Sequence, residues 1–223
     1  MSGAQVDADS ERTTLLRLAR ALGGRTLAEI AGRELPRAQL RAKGLAGQIV
    51  ERALGAGAAH AGPDFPELGV EVKTIPVDRA GAPRESTYVC AMTLPAIAAV
   101  DWEQSPVRVK LARVLFVPVE SEPELALGAR RVGAAFYWSP SAGQDARLRD
   151  DWDTIAALVG RGELERLTAR LGECLQVRPK APNGRARTRA LGPDGSLVAT
   201  TPRGFYLRAS FTAAIVREAM ALP

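Results

Sequence analysis

The sequence predicts an α/β fold in which helices come first and a mixed sheet with interleaved helices follows. Three observations point there. Apolar residues recur at helical spacing in the first 54 residues, as in Leu15, Leu16, Leu18, Ala19 and Leu22. From Leu68 onward the chain alternates as a strand does, with Leu68, Val70 and Val72 on one face and Gly69, Glu71 and Lys73 on the other. Leu111 to Val119 is a nearly continuous apolar run of the kind buried on both faces of a sheet. A chain of 223 residues buries a real core, and residues 1–223 are expected to form a single domain, with room for two lobes within it.

In chain order, residues 1–9 read as a loose tail, and Ser10 as the cap of a first helix that Gly23-Gly24 stops. Thr26 followed by Glu29 is a capping box that opens a second helix, ended near Pro36. A third helix runs from Gly44 to Leu54 with Leu45, Ile49, Val50, Ala53 and Leu54 facing inward, and Gly55 to Pro63 is a small, flexible linker. After the Glu71 strand come turn residues Asp78 to Pro83 and a strand from Ser86 to Leu94, expected to pair with it as an antiparallel hairpin. Strands follow at Leu111 to Val119 and Ala134 to Trp138, and a helix from Asp145 to Val159 has Leu148, Trp152, Ile155, Ala156 and Val159 on its inner face. A short helix at Leu164 to Leu171 and a strand at Cys174 to Val177 lead into a basic loop, Pro179 to Pro193. Strands at Leu197 to Thr200 and Phe205 to Leu207 precede a last helix, Ser210 to Met220.

Composition excludes several classes of function. No run approaches the roughly 18 apolar residues of a membrane span, and the polar, acidic start is unlike a signal peptide, so a cytoplasmic protein with no membrane partner is expected. Cys90 and Cys174 make no disulfide framework and no zinc spacing, and read as buried thiols. His60 is the only histidine and lies in the linker, which argues against an acyl-transfer triad and turns hydrolysis toward metal chemistry. The net charge of +5 is concentrated: Arg178, Lys180, Arg185, Arg187, Arg189, Arg203 and Arg208 stand against Asp194 alone between residues 178 and 208. That segment suits a phosphate-facing surface, with a solvated basic loop as the alternative.

Asp64, Glu71 and Lys73 are the candidate chemical groups. Glu71 and Lys73 sit two apart on a strand, which puts their Cα atoms roughly 6.5 to 7 Å from each other on one face. Gly62-Pro63 and Pro66 break regular structure around Asp64, so its carboxylate can fold back beside Glu71. Two carboxylates can hold an oxygen-liganding cation such as Mg²⁺, and a nearby ammonium can orient water or offset developing charge. The order Asp, short gap, Glu-x-Lys resembles the PD-(D/E)xK nuclease motif. On this pattern alone a solvated ion pair between Glu71 and Lys73 competes with a metal site.

Further groups in the same order extend the likeness: Lys43-Gly44 with Glu51, Asp64 to Asp78, Val107 to Glu120, Arg131-Val132-Gly133, Gln176 to Ala181, and Pro202 to Leu207. Together they resemble the methyl-directed mismatch-repair endonucleases of the MutH family. The resemblance implies a restriction-endonuclease-like mixed sheet flanked by helices, in two lobes around a DNA-binding cleft. It implies Asp64, Glu71 and Val72 as metal ligands for Mg²⁺, with Mn²⁺ as a substitute. Lys73 would act on the attacking water, with Glu51 beside the set and Lys110 near the scissile phosphate. Arg178, Pro179 and Lys180 would read GATC in the major groove, Tyr206 would sense adenine methylation, and Glu85, Tyr88 and Lys43 would lie at the DNA. The implied partners are double-stranded DNA, the activator MutL and, indirectly, MutS, and the implied form is a monomer that nicks one strand. The alternatives are a GATC-specific restriction endonuclease of the Sau3AI type cutting both strands, which would have to dimerise, and a non-catalytic DNA-binding protein.

Overall fold

The computed structural model describes residues 3–35, 44–57, 62–94, 96–181 and 183–220. They form a mixed α/β structure that falls into two compact units: residues Met1–Glu85, Ala112–Ser139 and Ile215–Pro223 make the first, Ser86–Leu111 and Pro140–Ala214 the second.

In the first unit, helices α1 (Gly3–Ala21), α2 (Leu27–Ala31) and α3 (Leu45–Leu54) pack on a sheet of order β1-β3-β4, formed by β1 (Glu71–Val77), β3 (Val114–Glu120) and β4 (Phe136–Trp138). β1 runs parallel to β3, and β4 antiparallel to it. Leu15, Ala19, Leu27, Val50 and Leu54 from the helices close over Val72, Leu115 and Val117 from one face of the sheet. The opposite face of β3 carries Phe116, whose ring meets Phe136 and Trp138. β3 is therefore buried on both faces up to its last residue, as its unbroken apolar run demands.

The second unit holds an antiparallel sheet of order β2-β8-β5, made of β2 (Thr87–Ala91), β5 (Leu175–Pro179) and β8 (Arg203–Leu207), with a separate hairpin of β6 (Thr188–Leu191) and β7 (Leu197–Thr200). Helices α4 (Pro106–Leu111) and α5 (Ala142–Gly160) belong to it, and α6 (Ala209–Met220) closes the chain. Trp152 of α5 lies between Trp102 and Phe205 and donates its indole N–H to the Val100 carbonyl at 3.2 Å. Asp151, the preceding residue, is buried and accepts the backbone N–H groups of Glu173, Cys174 and Leu175, each at 2.7 Å. One helical carboxylate thus fixes the start of β5.

Several expected boundaries give way to local chemistry. Residues 3–9 are helical rather than a loose tail. Ser10 lies inside α1, where the Thr13 hydroxyl donates to the Asp9 carbonyl and Arg12 pairs with Asp9 one turn away. Leu18 and Ala53 face solvent, outside the apolar stripes assigned to them. The capping box of Thr26 and Glu29 is present, but α2 ends at Gly32, which adopts φ 64°, before reaching Pro36, a residue outside those described. The strand expected from Leu68 begins at Glu71, because Pro66 to Gly69 forms a turn with Gly69 at φ 62°.

The hairpin between β1 and β2 does not form. Asp78 Oδ1 accepts from the Ala80 and Ala82 N–H groups, both at 2.9 Å, and the Arg84 N–H returns to the Pro76 carbonyl at 3.0 Å. That turn closes on the end of β1 itself, β1 pairs with β3, and β2 pairs with β8. The strand expected from Leu111 begins at Val114, because Pro106 to Leu111 is helix: Pro106 occupies the first helical position and the Ser105 hydroxyl accepts the Arg108 N–H at 3.0 Å. Leu164 to Arg166 makes only a 3-10 turn, and the basic loop from Pro179 contains β6, which twins with β7.

Candidate active site

The turn from Pro66 to Gly69 decides where Asp64 goes. Phe65 exchanges backbone hydrogen bonds with Val70, N–H to carbonyl at 2.9 Å and 3.1 Å in the two directions, so the chain doubles back and sets Asp64 alongside the start of β1. Asp64 Oδ2 then accepts the Val72 N–H at 2.8 Å. The Glu71 N–H donates across to β3, to the Arg113 carbonyl at 3.0 Å. Successive residues of a strand direct their main-chain groups to opposite edges, so those of Val72 face the edge of β1 away from β3. Asp64 satisfies one of these groups and brings its charge to that edge.

Glu71 and Lys73 share the face of β1 that packs beside Val114 and Phe116 of β3. The Lys73 ammonium donates to Glu71 Oε1. Their side chains are 15% and 2% exposed respectively, so this is no solvated surface pair. A carboxylate taken out of water next to apolar neighbours requires such a partner, since an unpaired buried charge costs several kcal/mol, on the order of 3 to 5.

Glu51 reaches β1 by a different route. Gly47 on α3 lies near both: a Cβ there would be in ordinary contact, 3.5 Å, with Glu51 Oε1 and with Thr74 Oγ1. Thr74 lies on the face of β1 opposite Glu71 and Lys73, and Glu51 approaches on that side. Among the described residues no three His, Cys, Asp or Glu side chains form a ready ligand cluster. Asp64 and Glu71 offer two hard oxygen donors at the start of one strand. Two is the number that suits Mg²⁺, which keeps several waters when bound.

The second unit gathers most of the proposed DNA-facing residues on one sheet. Arg178, Pro179 and Lys180, at and just past the end of β5, are exposed. The Lys180 ammonium sits 4.4 Å from the centroid of the Tyr88 ring, and the Arg178 guanidinium 5.8 Å from that of Tyr206. The two tyrosine rings meet edge to face at 5.3 Å. Arg178 Nη1 also donates to Ser86 Oγ at 2.7 Å. Arg187 donates to the Gly184 and Ala186 carbonyls, both at 2.9 Å, and so is folded onto its own loop.

Lys110 lies in α4 of the second unit, whereas Asp64, Glu71, Lys73 and Glu51 belong to the first. Glu85 is exposed at the end of a first-unit segment. Lys43 and His60 fall outside the described residues. Ser86 holds Arg178 and Asp151 holds the start of β5, and no motif or spacing in the sequence marks either.

No described helix is long and apolar enough to cross a membrane. A family model described as DNA mismatch repair enzyme MutH matches residues 56–151. The DNA mismatch repair protein MutH of Serratia proteamaculans is 49% identical over 191 residues, 85% of this chain and 84% of that protein. That of Klebsiella pneumoniae (strain 342) is 49% identical over 206 residues, 91% of this chain and 89% of its own. The Shewanella amazonensis protein of the same name is 47% identical over 209 residues, 92% and 93% of the two chains. With identity near one half sustained over most of both partners, and with Asp64, Glu71 and Lys73 gathered at the head of one strand, this chain belongs to the MutH family of DNA mismatch repair enzymes.

Proposed function

We propose that the chain is a Mg²⁺-dependent endonuclease of mismatch repair. It nicks the unmethylated strand at hemimethylated GATC sites and is activated by MutL, which MutS recruits. The observation that carries this reading is the folding of Asp64 onto the Val72 amide beside the buried Glu71 and Lys73 pair. Asp64, Glu71 and the main chain of Val72 would hold the cation, an all-oxygen set that suits Mg²⁺ or Mn²⁺. A cation held by these residues would supply Lewis acidity for the phosphodiester and lower the pKa of a bound water toward neutral pH.

The remaining steps belong to the protein's own groups. Lys73, tethered by Glu71, keeps its ammonium at one position and either orients the attacking water or offsets charge that develops on the phosphate. Glu51, beside Thr74, supplies a further carboxylate near the strand, and Lys110 acts on the phosphate. Arg178 and Lys180 present donors that match the guanine O6 and N7 acceptors of the major groove, with Pro179 between them. Tyr206 packs against the adenine edge, where shape and solvation separate a methylated base from an unmethylated one. The exposed arginines Arg185, Arg187 and Arg189 make salt-sensitive phosphate contacts, whereas Arg203 and Arg208 of the same segment donate to carbonyls of their own unit and brace its loops. One metal set suffices for one strand, so the active form is a monomer.

Strand-resolved cleavage tests the whole reading. A hemimethylated GATC duplex with a different label on each strand is incubated with protein and Mg²⁺, with and without MutL. Nicking confined to the unmethylated strand, faster with MutL and abolished by chelation, is the expected result. Equal cleavage of both strands whatever the methylation would instead mark a cutter of the restriction type. No cleavage under any of these conditions would leave a DNA-binding protein.

A further inference from the structure

Gly204 of β8 stands opposite Arg178 of β5, and the space above it is taken from both sides. A Cβ built on Gly204 would lie 3.0 Å from Tyr88 Cε2, 3.1 Å from the Cys90 carbonyl oxygen and 3.4 Å from Lys180 Cβ. Optimal separations between carbon atoms are about 3.5 to 4.0 Å, so an added methyl group would press on the Tyr88 ring and the Cys90 carbonyl and come into contact with the stem of Lys180. A glycine inside a strand commonly marks such a close approach.

The strand that supplies Tyr88 is itself irregular. Tyr88 is paired with Tyr206 and Cys90 with Phe205, so Val89 is an extra residue in β2. Val89 and Cys90 are consecutive, yet both are buried. A bulge of this kind redirects the side chains around it. Here the ring of Tyr88 ends over Gly204, with the Lys180 ammonium 4.4 Å from its centroid. Two independent features, a missing side chain on one strand and an extra residue on the next, therefore meet at Lys180.

We propose that Gly204 and Tyr88 are specificity-determining positioning residues, the glycine making room for the ring and the ring seating the Lys180 ammonium before DNA arrives. This deepens the DNA-recognition reading above and rests on it. A free lysine is a flexible point charge that any phosphate satisfies. Held against a ring, the same ammonium has lost the freedom to turn to another acceptor, and it rewards only a sequence that places one where it stands. Arg178, fixed by Ser86 and the Tyr206 ring, is restrained in the same manner on the neighbouring positions.

The test is the ratio of affinities for a GATC duplex and for one with a single altered base pair in the site. It is measured on the full chain without metal, with a melting temperature for each variant. Tyr88→Leu and Gly204→Ala should each lower the ratio by about two- to fivefold, the effect of losing one exposed cation–ring contact. Tyr88→Phe keeps the ring face and should keep the wild-type ratio. Tyr88→Leu leaves the β8 backbone untouched and decides the matter if Gly204→Ala fails to fold. If Lys180→Ala lowers the ratio while Tyr88→Leu leaves it at the wild-type value, the positioning role is wrong. If Lys180→Ala leaves it unchanged as well, the recognition reading falls with it.

Discussion

The two units place charge on strands in opposite ways. In the first, Glu71 is buried and Lys73 partly buried at the head of a strand, and the two stabilise each other. In the second, Arg178 and Lys180 sit at the exposed end of a strand and rest on tyrosine rings and a serine hydroxyl. The contrast follows from what each site is proposed to do. Groups that act on a reacting phosphate gain from a dry, fixed environment, where electrostatic interactions are strong. Groups that meet the edge of a base must be open to solvent. Exposed ion pairs hold side chains poorly, so support has to come from stacking.

Changing one group from each unit should separate the two behaviours. Lys73→Met is expected to slow nicking by about 10²- to 10⁴-fold, the range for a positioned proton-transfer or charge-stabilising group, while GATC affinity stays near wild type. Single-turnover cleavage alongside equilibrium binding measures both, and a large loss of sequence discrimination in this variant would break the division between units. Asp151→Ala strips the acceptor from two buried N–H groups and one part-buried one and should cost on the order of 3 kcal/mol, lowering the melting temperature by roughly 6 to 12 °C. Since Asp151 sets the start of β5, scanning calorimetry should show this loss while cleavage well below the transition survives.

Within the second unit the division is finer. Lys180→Ala should relax the preference for GATC by about 1 to 3 kcal/mol. Arg187→Ala should weaken binding to every sequence and reduce the slope of log affinity against log salt by about 1. A salt titration on cognate and altered duplexes distinguishes them, and identical behaviour of the two variants would reject the split between reading and anchoring residues.

The smallest effect concerns Cys174, whose thiol is pushed up to about 11 chiefly by burial. The folded chain therefore favours the neutral thiol. That contribution is complete below the ordinary thiol value of about 9 and is lost as pH rises toward 11. Urea midpoints for wild type should fall more steeply than those for Cys174→Ala between pH 9 and 11, and parallel curves would exclude the contribution.

What the sequence disclosed was local. The Thr26 and Glu29 box, the helix of Leu148, Trp152 and Ile155, and the doubly buried run of β3 each depend on neighbours within a turn or two. The antiparallel pairing of β1 with β2 failed because strand partnership is decided over long range. Asp78 and Gly81 make a turn that closes on β1, and β3, which follows α4 in the chain, pairs with β1 instead. The same limit applies to the sites. Asp64, Glu71 and Lys73 lie within ten residues and group by spacing, although the alternation from Leu68 reads as strand where Gly69 makes the turn that brings Asp64 to the Val72 amide. Ser86 and Arg178 are 92 residues apart, and Asp151 is 22 to 24 residues from the amides it holds. No periodicity links such residues, and only the folded chain does.

Asp64 and Glu71 are proposed to hold the cation that drives hydrolysis. The most direct test is Mg²⁺-dependent nicking of a GATC duplex by wild type and Asp64→Ala at matched DNA occupancy. The variant should bind DNA as wild type does and cut at least about 10³-fold more slowly at every Mg²⁺ concentration, since a metal site lowers the barrier by several kcal/mol. Cleavage by Asp64→Ala at the wild-type rate, with the same Mg²⁺ dependence, would contradict that role.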